Sequence, residues 1–214
     1  MDLEMDSRDN KLSLSIVDAT AEENIADVAA ELAEVALDSV LDASEIIEAV
    51  PFLGSVLKLA KVGISIRDRL FLKKLAGFLF ELDKVSPTER AKYILKLSDD
   101  PDFKEKIGVN LLILLEKLDD IDKPTLIGKL FCFYIKGEID YLLFARLAVT
   151  IDKLYLPDLS RLFEFTDKVD LRSDDANLSL ANVGLLYMPS DTVGVCYAIS
   201  KTGLRLIELL NKSS

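Results

Sequence analysis

Histidine is absent from this sequence, which removes every His-dependent triad, imidazole general base and imidazole metal site at once. Tryptophan is absent too, and the only two cysteines, Cys132 and Cys196, each lie in an apolar stretch. They lack the Cys-x-x-Cys spacing of a redox or zinc site, so buried, reduced thiols in a cytosolic protein are expected. Nine glycines and six prolines among 214 residues leave little turn-forming material for an all-β fold. The glycines are also scattered, which excludes a Walker loop and a dinucleotide fingerprint. The chain is therefore expected not to be an enzyme and to use no cofactor, no metal and no small-molecule substrate.

Long hydrophobic runs are missing as well. The longest charge-free apolar stretches before the carboxy-terminal segment, Ala49 to Leu57 and Ile107 to Leu115, fall far short of the roughly 18 residues that span a bilayer. No secretory signal is read at the start, which is acidic and has no apolar h-region. Positive charge is what the opening lacks most. Residues 1 to 48 hold fourteen acids against Arg8 and Lys11, while the remainder is nearly balanced, so the net charge of −11 sits at the front. Such a block repels nucleic acid and attracts a basic partner or a basic segment of its own chain.

What is present is apolar and helix-forming. Half the residues are hydrophobic, enough for a sizeable core, and runs of Ala, Leu, Lys, Glu and Asp favour helix. The expected fold is mainly α: a flexible acidic arm over 1–19, a multi-helix bundle over 20–166, and a small winged-helix-like α+β module over 174–214. In the bundle, Ile25, Val28, Leu32, Val35 and Ala36, continued by Leu37, Val40 and Leu41, mark an acidic helix with one apolar side. After Pro51 and Gly54 a second helix is expected, with Lys58, Lys61, Ser65, Asp68 and Arg69 on a narrow polar stripe and apolar residues all round. Arg67 falls toward the apolar side of that helix, which predicts a carboxylate beside it or a helix break nearby.

Punctuation then becomes clear. Ser86-Pro87-Thr88-Glu89 reads as a capping box opening a helix that carries Ala91, Ile94 and Leu95. Asp100-Pro101 opens the next, with Phe103, Ile107, Leu111, Leu114, Leu115 and Leu118 as a core face, and Asp122 with Pro124 starts another that closes at Gly137. Ile139 and Phe144 are placed to staple around an Asp140 cap, so the Gly137 turn reads as a tight helical hairpin. Pro157-Asp158 begins a short helix, and Thr166 to Asn177 reads as a loop. A helix over Leu178 to Val183, strands over Leu185 to Met188 and Val193 to Ile199, and a last helix capped by Ser200 complete the module.

Three acid clusters, Asp99-Asp100-Asp102, Asp119-Asp120-Asp122 and Asp167-Asp170 with Asp174-Asp175, lack the ligand spacing and glycine of a calcium loop. The first two read as helix caps and the third as solvated loop. The candidate interaction residues are the bases Lys58, Lys61, Arg67, Arg69, Lys73 and Lys74. They are read first as a solvated stripe onto which the acidic helix docks, and next as a peripheral contact with an anionic membrane. Nucleic acid comes last, because few aromatics interleave with the bases. The expected partner is thus another protein, a second copy or a membrane surface.

The carboxy-terminal half also resembles a known family. The segment Lys117-Leu-Asp-Asp-Ile-Asp-Lys-Pro-Thr-Leu-Ile-Gly-Lys-Leu-Phe, a further helical pair, Gly184-Leu-Leu, and Tyr197-Ala-Ile-Ser-Lys-Thr-Gly203-Leu-Arg-Leu look like the bacterial abortive-infection Abi-alpha-type proteins. The similarity covers residues 100 to 214 and leaves out the acidic opening helix. It implies a bacterial phage-defence effector or regulator, and it carries over no catalytic residue. A winged-helix transcriptional regulator is the alternative, but its candidate helix offers Ser179 and Asn182 and no base.

Overall fold

A computed structural model describes residues 7–37, 65–165, 174–190 and 196–212. Among them are ten helices and one pair of short strands, and the chain divides into two compact units, Met1–Lys136 and Gly137–Ser214. The boundary between the units falls at the Gly137 turn rather than between 166 and 174, so the helices after Gly137 belong with the carboxy-terminal segment. Gly137 supplies the positive φ of 73° on which helix-closing turns depend.

The amino-terminal unit contains α1 (Ser7–Ala19), α2 (Ile25–Leu37), α3 (Ile66–Leu82), α4 (Pro87–Ser98), α5 (Pro101–Lys117) and α6 (Lys123–Ile135). Where an arm was expected, α1 packs along α5, with Ser13, Ile16, Val17 and Ala19 buried. The reason is steric. A Cβ at position 108 of α5 would overlap the Ser13 carbonyl, so only glycine lets the two backbones approach this closely. The sequence reading missed this because α1 mixes polar residues into its contact face and gives no clean period.

Helix α2 buries Ile25, Val28, Ala29, Leu32 and Val35 against α3, whereas Leu37 at its end points outward, 75% exposed. Helix α3 lies at the centre of the unit, between α2 and α6. Its buried residues are Leu72, Leu75, Ala76, Phe78, Leu79, Glu81 and Leu82. Gly128 of α6 sits directly over the Phe78 carbonyl, where an added Cβ would lie 2.7 Å from that oxygen. Around the crossing, Phe78, Tyr93, Phe131 and Tyr134 form an aromatic cluster with ring centroids 5.4–5.8 Å apart. Such tilted and edge-on pairs place ring edges against ring faces.

The helix starts follow the local chemistry. Ser86 and Glu89 form the expected capping box before Pro87. Asp100 accepts from the Phe103 N–H at 3.0 Å. Helix α6 begins after Asp122 as expected, but the Asp122 side chain makes no capping bond.

The inward side of α4 is not the expected Ala91, Ile94 and Leu95. Its buried face is Arg90, Tyr93 and Leu97, while Leu95 is 69% exposed and Ala91 is exposed. The fully buried Arg90 guanidinium donates to the carbonyls of Leu82 (3.2 Å) and Val85 in the α3–α4 turn. It donates equally to Glu22 (2.7 Å) and Glu23 (3.2 Å) between α1 and α2. Burial lowers its pKa, opposed by the nearby Asp83 carboxylate.

The carboxy-terminal unit holds α7 (Tyr141–Lys153), a 3₁₀ turn (Leu156–Asp158), α8 (Leu159–Leu162), α9 (Asp175–Asn182), β1 (Leu186–Tyr187), β2 (Ala198–Ile199) and α10 (Lys201–Lys212). The loop expected up to Asn177 therefore ends three residues early, at Asp174. Its carboxylate accepts from the Asn177 N–H at 2.8 Å. The expected Asp140 cap is present, accepting from the Leu143 N–H at 2.8 Å, and Ile139 and Phe144 on either side of it are both buried. Helix α9 closes in a Schellman turn at Gly184 (φ 79°), where Leu185 N–H reaches the Leu180 carbonyl at 2.9 Å. The strands pair antiparallel, Leu186 with Ile199 and Tyr187 with Ala198. Ser200 ties the pair to α10: its N–H donates to Leu185, its hydroxyl donates to Gly184, and that oxygen accepts from Gly203 N–H.

Arg161 fastens α8 to α9. Its guanidinium bonds the fully buried Asn177, pairs with Glu164 and Asp174, and stacks over Phe165 at 5.8 Å. Glu138, at the start of the unit, is held by Arg205 and Lys212 of α10.

Replacing Arg90 with Met is expected to cost roughly 3 kcal/mol or more, because the Val85, Glu22 and Glu23 carbonyls, buried or part-buried, lose their guanidinium donor together. Lysine should not rescue it, since one ammonium cannot span both turns. Urea midpoints within about 0.5 kcal/mol of wild type for either variant would refute the hub, that being the ordinary surface range. Gly108→Val should release α1, read as faster amide exchange in residues 13–19 while α3 and α6 stay protected.

Candidate interaction surface

Of the six basic residues singled out from the sequence, Lys58 and Lys61 lie outside the described residues. The other four sit on α3 or its first turn. A continuous helix through position 65 does not form. Ser65 is extended (φ −70°, ψ 161°) and shares a reciprocal capping box with Asp68, so α3 begins at Ile66 and runs on to Leu82. The signal was legible as Ser-x-x-Asp, a variant of the usual Ser-x-x-Glu box.

Arg67 does not enter the core. It is 80% exposed and pairs with Glu116 on α5, so the expected carboxylate and the expected helix break are both found beside it. Lys74 is likewise engaged: its ammonium donates to the carbonyls of Glu116 (3.0 Å) and Leu118, the open end of α5. A lysine there satisfies orphan carbonyls and meets the negative end of the helix dipole. Burial lowers its pKa, with Glu116 and Asp119 pulling the other way.

Arg69 and Lys73 remain on the outward side, Lys73 exposed and Arg69 half-buried. With them run Ile66 (79% exposed), Leu70 (49%) and Phe80 (60%). These positions are three, four or seven apart and fall with Gly77 on one face of the helix. From Ile66 to Phe80 the face is about 21 Å long at ~1.5 Å per residue. The only acid within its arc, Glu81, is buried and bonded to Lys84 at 2.7 Å. The exposed apolar stripe departs from the expectation of a helix embedded on several sides. An isolated apolar residue on a surface is ordinary, whereas three along one helix face make it a candidate contact surface.

The acid clusters serve the fold. Asp119 binds the buried Lys123 ammonium at 2.6 Å, Asp120 accepts from the Asp122 N–H at 2.8 Å, and Asp100 and Asp174 cap their helices. Asp167 and Asp170 lie outside the described residues. Among the described residues no group of three or more Cys, Asp or Glu could hold a metal ion. Both cysteines are buried thiols, not joined in a disulfide. The Cys132 thiol donates to the Glu81 carbonyl, and burial pushes its pKa up to about 12, so it stays protonated and unreactive at neutral pH. No described helix is long and apolar enough to cross a membrane. Compared with known protein families, characterised proteins and solved structures, the chain matches none.

The Lys123 hydrogen bond, followed by its charge, lowers the Asp119 pKa below the ordinary 3.8. A depressed acid stabilises the fold above its unfolded pKa, and that contribution is lost as pH falls through the lower folded value. Asp119→Asn should therefore flatten the acid limb of the stability profile below about pH 4. An unchanged acid limb in denaturation series from pH 6 to pH 2 would show that Asp119 carries no such linkage.

Proposed function

We propose that this chain works by contact rather than by bond-making: a non-enzymatic helical interaction protein whose amino-terminal unit docks through the outward face of α3. The observation that carries the reading is the row Ile66, Leu70 and Phe80, exposed beside Arg69 and Lys73. Burying three such side chains against a partner releases apolar surface from water at about 25 cal/mol per Å². The cations set the sign of the partner, which is acidic protein, a second copy, or an anionic membrane touched from outside. The phage-defence setting, as an abortive-infection effector or regulator, is part of the same proposal and rests on the sequence resemblance over residues 100 to 214.

The carboxy-terminal unit enters the proposal as a winged-helix-like module. What supports this is its order, three helical segments, a strand, a connection, a second strand and a closing helix. We assign it to protein docking rather than DNA reading. Its α9 carries no base, Asp174 and Asp175 stand at its start, and residues 137–214 hold eleven acids against eight bases. The order of elements alone favours the alternative, a DNA-binding regulator.

The test uses the purified full chain. Leu70→Ser with Phe80→Ser should keep the helical circular dichroism of the wild type while losing whatever self-association, vesicle binding or protein partner the wild type shows. A wild type that stays monomeric, ignores vesicles and retains no partner would sink the proposal. Salt-sensitive binding to duplex DNA in fluorescence anisotropy, lost on removing Lys201 or Arg205, would move the assignment to the DNA-binding alternative.

A further inference from the structure

Two helices of the amino-terminal unit present outward faces of opposite character. On α3 the face is apolar and cationic: Ile66, Leu70 and Phe80 with Arg69 and Lys73. On α2, the side opposite its buried residues carries Asp27, Ala30, Glu34 and Leu37, all exposed. Asp27 and Glu34 are two helical turns apart with a small alanine between them, and Leu37 extends the same row. The row is complementary in sign to the α3 face: two acids about 10 Å apart for two cations about 6 Å apart, a gap that the long Arg69 and Lys73 side chains span, and Leu37 adds an apolar end. Within one copy the two rows cannot meet, because α2 is already seated on α3 by its other side, through Ile25, Val28, Leu32 and Val35.

We propose that the occupant of the α3 face is a second copy of this chain, which lays the outward side of its α2 on the first copy's α3, with Asp27 and Glu34 opposite Arg69 and Lys73. This deepens the contact reading above and rests on it. Charge complementarity decides between the occupants. The front of the chain is the concentrated source of negative charge, fourteen acids in its first 48 residues, and every copy brings it. An anionic membrane would instead repel that acidic front, while the α3 face offers only a few cations to offset it. Polybasic membrane contacts draw on clusters of about four to eight bases.

The contact has a signature that an apolar patch alone would not give. Opposite charges at short range fix the register and weaken with salt. Sedimentation velocity on the full chain should show self-association that loosens as sodium chloride is raised. Arg69→Glu with Lys73→Glu should weaken it by about tenfold or more, and so should Asp27→Lys with Glu34→Lys, because each sets like charges face to face. Mixing the two double variants should restore it, since Glu at 69 and 73 of one then meets Lys at 27 and 34 of the other. Circular dichroism of each variant checks that the helices persist, and restoration on mixing shows that both folded surfaces survive.

The inference is overturned by a wild type that remains monomeric at high concentration. It is overturned equally by charge variants that associate like wild type, or by a mixture that stays monomeric. Binding to vesicles of mixed phosphatidylserine and phosphatidylcholine that depends on Arg69 and Lys73, without self-association, also overturns it while leaving the broader contact reading standing. If Leu70→Ser with Phe80→Ser changes no interaction of any kind, it is that broader reading that falls.

Discussion

The amino-terminal unit depends on one buried cation. Arg90 has no exposed surface, and its guanidinium donates to carbonyls in two separate turns, one joining α1 to α2 and the other joining α3 to α4. Carbonyls at helix ends have no intrahelical partner, and leaving them buried and unpaired costs roughly 1–3 kcal/mol each. One planar side chain with five donors can satisfy several at once, where a lysine cannot. The position of α2, and with it the direction of the acidic row, therefore follows from a residue on a different helix. Arg161 plays a related part in the carboxy-terminal unit, where it joins Asn177, Asp174 and Glu164 around the start of α9.

Around these two hubs, the remaining charges act at helix ends. Ser65, Ser86, Asp100, Asp140, Asp174 and Ser200 each accept a backbone N–H at the start of a helix. Lys74 does the complementary work at the closing end of α5. Of the acid clusters that raise the question of metal binding, Asp100 and Asp174 are used as caps and Asp119 as the partner of Lys123. What capping leaves over is an apolar and cationic row along α3 and an acidic row along α2, the two surfaces on which the proposed contact rests. Among the described residues neither row contributes an apolar side chain to the core.

The starts of α4 to α7 were readable because such signals are local: a serine or aspartate stands before each, a proline follows in α4, α5 and α6, and α4 adds an acid three residues on. The Gly184 turn and the Ser200 cap were readable for the same reason; of the expected strands over 185–188 and 193–199, Leu186–Tyr187 pairs with Ala198–Ile199, and 193–195 lie outside the described residues. The buried face of α4 was not. Ala91, Ile94 and Leu95 look like its apolar side, but Arg90 lies with Tyr93 and Leu97 on the face that packs inward. A scheme that counts arginine as polar chooses the wrong side, and the correct one needed the carbonyls that only the folded turns bring together. Helix α1 was missed for a similar reason. Its contact rests on a glycine of α5, about ninety residues away, and close backbone approach leaves no period in the sequence.

Composition alone determined that the protein is mainly helical and bears its negative charge at the front, and it removed all histidine chemistry. These are properties of single residues and short windows, so no distant contact can change them. The tertiary structure decided which side of each helix is covered, because burial depends on what another helix presents. It moved Arg67 out to Glu116, seated α2 on α3, and left Ile66, Leu70 and Phe80 outside. The boundary at Gly137 was decided in the same way, by which helices pack together rather than by where composition shifts.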